Sequence, residues 1–251
     1  MPKIKVAAVQ MAPAFADKMG NLRRVAHLVK QAAGEGAQLV VLPELVTTGY
    51  SFMSKEDALV YAEALHPDLL TFKSMRVLAE SFQVHLVWGM IELDVGTGDL
   101  YNSQVYVAPD GTWTSYRKVN RWGNDFLWCR PGRANPPVVA ANFAGTTKKI
   151  GLLICRDVRD KKDDNWKSFY EKGDADIVCM SANWGDGGFP SVSWMDFVED
   201  NNMTLIVSNR YQKEANNDFG EGGICIIEPP DKVTCAGIQW DQDCIVYAEI
   251  E

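Results

Sequence analysis

The chain of 251 residues is long for one domain but within the span of a single α/β or sandwich domain, and its 47% hydrophobic content supports a sizeable core. A formal net charge of −8 argues against nucleic acid as the main partner, because no basic excess exists to displace counterions from a phosphate backbone. No apolar run approaches the roughly 20 residues of a membrane span, and the opening MPKIKVAAVQMAP has no signal-peptide core, so a cytoplasmic protein with no membrane partner is expected.

The first elements alternate. Residues 4–11 read as a strand. Leu22, Val25, Ala26, Val29, Ala32 and Ala33 recur at helical spacing, which predicts an amphipathic helix over 20–34, stopped by Gly34 and Gly36. Residues 37–42 are a continuous apolar run of the kind buried on both faces of a sheet. A second helix is expected over 68–82, with Leu69, Phe72, Met75, Leu78, Ala79 and Phe82 on one face. The pattern then changes: 84–92 and 101–108 read as strands, and Asp110-Gly111 marks a turn into a third strand, Thr112–Arg117. Residues 148–154 form another apolar strand that ends at Cys155. Helices near 164–172 and 191–201 alternate with strands at 175–181 and 204–209, and the tail reads as strands over 222–228, 233–238 and 244–249. Pro136–Pro137 and Pro229–Pro230 read as turns. Without repeats or an interdomain linker, one domain over 1–251 is expected. Many strands with few helices predict two packed sheets with helices outside. The six cysteines (129, 155, 179, 225, 235, 244) show no CxxC spacing and are expected to be free thiols, mostly buried.

Three polar residues stand directly after apolar strands: Glu44, Lys118 and Cys155. The carboxyl ends of strands are where α/β sheets usually place a site, since rigid backbone there holds a side chain that can reach a pocket. A thiol becomes a nucleophile on losing its proton; Glu44 can take that proton and pass it to a leaving amine. Lys118 can hold positive charge beside a thiolate and a developing oxyanion, and the backbone N–H of Arg156 is the natural second donor. Each residue also has an ordinary reading: a core thiol, a loop or capping carboxylate, a solvated strand-end cation. Spacing alone does not choose between the two.

The local sequences do more. LVVLPELVTTGY (39–50), SYRKVN (115–120) and KIGLLICRDVR (149–159) resemble, in order, the Glu, Lys and Cys motifs of the nitrilase superfamily, the carbon–nitrogen hydrolases. VAAVQMAP near the start, GDADIVCMSANW (173–184) and SNRYQKE (208–214) extend the resemblance over nearly the whole chain. It implies a four-layer α-β-β-α sandwich, dimers or larger homo-oligomers built by packing protomers side by side, a Cys thioester released by water, and no metal or organic cofactor. It also implies a second carboxylate shortly before a Pro-Gly; in NDFLWCRPG that is Asp125, one methylene shorter than the usual Glu. Two further departures fall near the expected pocket: Asn120 where relatives often carry His, and Asp160-Lys161-Lys162 where Phe-Pro-Glu is usual. Nitrilases proper usually carry Trp-Glu after the Cys, whereas this chain has Arg156-Asp157, which is similar to the amidase and carbamoylase branches. The expected substrate is a small-molecule amide or carbamoyl compound. Tyr50, Trp122, Trp128, Asn183 and Trp184 are the candidate substrate contacts, with Phe52, Phe126 and Phe189 as further aromatics near the motifs that can line a pocket or fill the core.

The alternatives are a nitrilase proper, a non-catalytic binding protein on the same fold, and a Cys–His hydrolase. The last would draw on His27, His66 or His85, none of which has a recognisable catalytic neighbourhood. No G-x-S-x-G, HExxH, P-loop or G-x-G-x-x-G occurs.

Overall fold

Alternation of apolar residues builds two six-stranded sheets that share one buried seam. The structure, a computed structural model, describes residues 3–158, 169–185, 188–220, 222–235 and 242–251. The N-terminal half forms β1 (Ile4–Gln10), β2 (Leu39–Val41), β3 (His85–Leu93), β4 (Leu100–Val107) and β5 (Trp113–Arg117), and the chain end returns as β14 (Cys244–Ile250). Their order is β14-β1-β2-β3-β4-β5, parallel across β1, β2 and β3 and antiparallel elsewhere. The second sheet contains β6 (Val138–Phe143), β7 (Thr146–Ile154), β8 (Ile177–Ser181), β9 (Thr204–Ser208), β12 (Cys225–Glu228) and β13 (Lys232–Cys235), in the order β13-β12-β9-β8-β7-β6. A small hairpin, β10 (Lys213–Glu214) with β11 (Asn217–Asp218), stands apart from both.

The strand period of two sorts side chains into layers. Val6, Ala8, Leu39, Val41 and Val87 face the second sheet and join Ile150, Leu152, Val178 and Ile206 in one core. Their neighbours Ala7, Val9, Val40, Leu42, Leu86 and Trp88 face the other way, against Leu22, Val25 and Val29 of α1 (Lys18–Gly34) and Phe72, Met75 and Ala79 of α3 (Leu70–Phe82). On the far side of the second sheet, Trp194 and Val198 of α5 (Val192–Asn201) pack onto the first core. The layers are therefore helix, sheet, sheet, helix, as expected. Two short helices, α2 (Lys55–Leu59) and α4 (Asp125–Trp128), lie in loops.

Three expectations need correction. Residues 169–172 are bend and turn, not helix, and the rest of the predicted 164–172 helix lies outside the described residues, as do Asp160-Lys161-Lys162 and 236–238 of the predicted last-but-one strand. The expected strands omit edge strand β6, which follows Pro136–Pro137 and pairs antiparallel with β7. Cys129, Cys155, Cys179 and Cys225 are buried and outside any disulfide, but Cys244, also expected to be buried, is only half-buried.

Candidate active site

The strand ends expected to carry chemistry converge. Glu44 follows β2, Lys118 follows β5 and Cys155 follows β7. Buried hydrogen bonds between the sheets hold these ends in register. Ser181 Oγ donates to the Leu42 carbonyl at 2.7 Å, tying the end of β8 to the strand that delivers Glu44. Gln104 of β4 accepts from the Leu153 N–H at 2.9 Å and donates to Ser181 Oγ at 2.9 Å, tying β4 to the strand that delivers Cys155. Gly89 of β3 has no side chain for a direct reason: a Cβ there would lie 2.5 Å from the Leu45 nitrogen and 2.7 Å from Glu44 Cα.

Lys118 is 1% exposed and sits between two carboxylates that are 0% exposed, with Nζ 2.7 Å from Glu44 Oε1 and 2.7 Å from Asp125 Oδ2. The shorter Asp125 thus still reaches the lysine, because the backbone turn that opens α4 brings it in; the Trp122 N–H donates to the same Oδ2 at 3.1 Å. Asn102 of β4 completes the cluster, Nδ2 donating to Glu44 Oε1 at 2.6 Å and to Asp125 Oδ1 at 3.2 Å. Its backbone carbonyl also accepts the Lys118 N–H at 2.9 Å. Glu44 Oε2 has no partner among the described residues.

The charges are strongly coupled. Burial raises the Glu44 pKa; the Lys118 ammonium opposes that and the Asp125 carboxylate adds to it. Burial works against a charged Lys118 too, but Asp125 and Glu44 together outweigh it and raise the lysine well above its ordinary value. Cys155, 5% exposed, begins a short 3₁₀ turn (Cys155–Asp157) with φ +44°, a left-handed backbone that costs strain in a non-glycine residue. Burial raises its thiol pKa, Glu44 adds to the rise, and Lys118 and a backbone hydrogen bond from Asn183 offset part of it. Burial thus favours the protonated thiol over the thiolate, and the neighbouring Glu44 keeps one oxygen without a partner among the described residues. Asp157 underpins the turn: it accepts from the Asn120 N–H at 2.8 Å and from Tyr116 Oη at 2.9 Å, and burial pushes its carboxyl up to about 7.

A cleft opens onto Cys155, lined by Trp122, Arg156, Asn183, Trp184 and Gly185. Three of the five candidate contacts are therefore at the cleft. Tyr50 and Trp128 are not: both are buried in a cluster with Leu45 and Phe52, behind the wall. Tyr50 acts there as a strut, its hydroxyl donating to the Trp122 carbonyl. Phe126 is 60% exposed on the surface and Phe189 packs against the second sheet. None of the histidines serves Cys155. His27 and His66 are exposed, and His85 is held by Tyr106 Oη at 2.7 Å and the Asn142 carbonyl at 3.1 Å, at the end of the sheet opposite Glu44.

The sequence reading missed Asn102, which has no local signature beyond being polar in an apolar strand. It also missed a brace behind the Glu44 loop. Glu214 of β10 accepts from the N–H groups of Tyr50 and Ser51 at 2.8 and 2.7 Å, and pairs with the buried Arg210 at 2.8 Å. The polar SNRYQKE stretch held that signal.

Comparison with known proteins agrees with this architecture. The chain is 37% identical to a nitrilase of Pyrococcus abyssi over 155 residues, 61% of this chain and 56% of that protein. It is 26% identical to a probable nitrilase of Schizosaccharomyces pombe, over 98% of this chain and 88% of the relative. An omega-amidase of Saccharomyces cerevisiae is 32% identical over 62% of this chain and 56% of its own length. The chain thus spans little more than half of the first and third of these relatives. Among solved structures, Nit3 of S. cerevisiae superposes with a TM-score of 0.81 at 24% identity, covering all of this chain and 90% of the other. An amidase of Nesterenkonia superposes with a TM-score of 0.80 at 20% identity, covering 100% and 92%. Both share the fold. The family model for carbon–nitrogen hydrolases matches residues 5–251, and the protein belongs to that family.

Proposed function

We propose that the protein hydrolyses a primary amide or carbamoyl group of a small molecule, with Cys155 as nucleophile, Glu44 as general base and acid, and Lys118 as oxyanion donor. The observation that carries this reading is the buried lysine bonded at 2.7 Å to two carboxylates beside a cleft-lining thiol. An ammonium has three N–H donors, and two are committed to Glu44 and Asp125, leaving one for substrate. Asp125 and Glu44 keep the lysine charged, and Asn102 orients both carboxylates.

The thiol proton passes to the unpaired Glu44 Oε2 as sulfur attacks the carbonyl carbon. The raised Glu44 pKa suits that transfer, since a carboxylate of ordinary acidity would be a poor base for a thiol. Negative charge collects on the carbonyl oxygen, which accepts from Lys118 and from the Arg156 N–H; one such donor is worth roughly 3–4 kcal/mol of barrier. Glu44 returns its proton to the departing nitrogen, ammonia or an amine leaves, and a thioester remains. Water, deprotonated by Glu44, then releases the carboxylic acid and restores the thiol. Trp122, Asn183 and Trp184 are the proposed substrate contacts.

A nitrile is the second reading, favoured by the name of the Pyrococcus relative. Attack on a nitrile builds charge on nitrogen in a linear group, for which the oxyanion donors are less suited. Arg156-Asp157 after the nucleophile also supports the amide.

The test is an ammonia-release screen over small amides, carbamoyl compounds and matched nitriles, with hydroxylamine added to trap an acyl-enzyme as hydroxamate. Amide-dependent hydroxamate is expected, and Cys155→Ala is expected to lower kcat by about 10⁴-fold or more with the fold intact. Turnover of nitriles with none of the corresponding amides would overturn the amide reading, and an active Cys155→Ala protein would overturn the nucleophile.

A further inference from the structure

Asn183 combines burial at the cleft with an unused side-chain amide. It is 2% exposed and lies two residues past β8, and its neighbours are fastened on both sides. The Ala182 N–H donates to the Ser208 carbonyl at 2.8 Å, and the Trp184 N–H donates to Asn209 Oδ1 at 2.8 Å. Asn209 Nδ2 donates back to the Trp184 carbonyl at 3.0 Å. Asn183's own N–H bonds toward the Cys155 sulfur. Backbone position is thus determined without help from the side chain. Yet among the described residues both Asn183 Oδ1 and Nδ2 lack a partner, in contrast to the adjoining Asn209, which uses both. Among the described residues, no other buried side-chain amide has both atoms unpaired.

Native folds seldom keep a buried amide unpaired without a functional reason. Here the side chain lines the cleft beside the proposed nucleophile, so the group it is built to meet is a ligand. A carboxamide presents one donor and one acceptor side by side, and its best match is another group with an acceptor and a donor in the same arrangement. The N–C=O edge of a primary amide or of a carbamoyl group is such a group. A nitrile has no N–H, and an ester has a carbonyl oxygen but no N–H beside it.

We propose that Asn183 is a specificity-determining residue that reads the amide edge of the substrate, Nδ2 donating to the carbonyl oxygen and Oδ1 accepting one N–H of the leaving nitrogen. This rests on the amide-hydrolase reading above. Asn183 exchanges no proton in the reaction: the C–N bond breaks, Glu44 supplies the proton, and the Oδ1 contact lasts until ammonia or the amine departs. As the carbon becomes tetrahedral, its oxygen gains a third lone pair, so the Nδ2 donor adds to those of Lys118 and Arg156 without displacing them. Holding one N–H also restricts how the nitrogen presents its developing lone pair.

The experiment compares matched primary amides and methyl esters of propionic, succinic (as the monoamide and monoester) and phenylacetic acids. kcat/KM is measured for each with the wild-type protein, Asn183→Ala and Asn183→Asp. A site that hydrogen-bonds a substrate N–H discriminates strongly against groups lacking it. Asn183→Ala is therefore expected to lose about 10²-fold on the amide and no more than about 10-fold on the ester, so that the amide-to-ester ratio falls roughly 10-fold. The ester reaction in the same preparation reports a folded protein with a working Cys155. Asn183→Asp retains an acceptor for the N–H and is expected to hold the ratio within about 3-fold of wild type, even if both rates drop. A ratio unchanged in Asn183→Ala overturns the assignment while leaving amide hydrolysis intact. Failure of the wild-type protein on every amide and carbamoyl compound overturns both.

Discussion

Replacing Lys118 by methionine keeps the unbranched apolar stem of the side chain, one atom shorter, and removes the cation that Glu44 and Asp125 share. Both carboxylates are 0% exposed and each lies 2.7 Å from Nζ, so neither can turn to solvent for compensation. Asn102 still bonds both, and Trp122 still bonds Asp125. Two anions would nevertheless remain buried without a counter-ion. Removing one partner of a buried pair costs about 3–5 kcal/mol, and a lysine that bridges two carboxylates belongs at the upper end. At about 2–4 °C per kcal/mol for a chain of this size, Tm should fall by roughly 10–20 °C near pH 8. The deficit should shrink in acid. Burial already raises the Glu44 pKa, with Lys118 opposing the rise, and losing Lys118 raises it further. A group whose folded pKa lies above its unfolded value contributes stability that is present below the unfolded value and lost as pH climbs through the folded one. In the wild type Lys118 is itself raised well above 10.5, so its contribution is complete at neutral pH and fades only in strong base. Calorimetric melts at about pH 5.5 and about pH 8 should therefore show the larger deficit at the higher pH. Adding Glu44→Gln to the methionine variant, which removes one of the stranded charges, should recover about half of it. An equal deficit at both pH values, or a double variant no more stable than the single, would refute this account of the cluster.

Lys118→Arg should lose as much activity as Lys118→Ala, because a planar guanidinium cannot fit between two carboxylates that each approach within 2.7 Å without occupying the substrate's space; retained activity would reduce Lys118 to a general electrostatic role. Glu44→Gln should lower kcat more than Asp125→Asn, since only Glu44 has the unpaired oxygen needed to receive the thiol proton; the reverse ranking would exchange their assignments. Asp157, pushed up to about 7 by burial, makes folding most favourable below its ordinary value of 3.8 and progressively less so as pH rises toward 7. Asp157→Asn should flatten that part of the stability profile in melts taken across about pH 4 to 8, and an unchanged slope would show that the carboxyl titrates normally.

Much of this architecture is written locally in the chain. The alternation in 4–10 and the 3.6-residue recurrence in 18–34 are one-dimensional patterns, and burial follows them residue by residue, Ala7 and Val9 to one side and Val6 and Ala8 to the other. Glu44, Lys118 and Cys155 stand out at strand ends, which converge when sheets pack, but it is the resemblance of their local motifs that chooses the chemical reading over the ordinary one. Asp125 stands out only through that resemblance, which implies a second carboxylate before the Pro-Gly; a short turn of chain brings it to 2.7 Å from Lys118 Nζ. What the chain does not carry locally is which partner a loop side chain meets. Asn102 becomes a bridge only because β4 is paired between β3 and β5, placing it beside residues 58 positions before and 23 after it in sequence. Tyr50 and Trp128 turn into a core cluster while Trp122 and Trp184 face the cleft, a choice that composition and spacing leave open because all four are aromatic residues near a motif. Strand β6 escaped notice as a half-exposed edge with a weak apolar pattern, held by its ladder to β7. Periodicity records how one element divides core from solvent, whereas the direction of a loop side chain is decided by the long-range packing of the two sheets, which only the folded chain brings together.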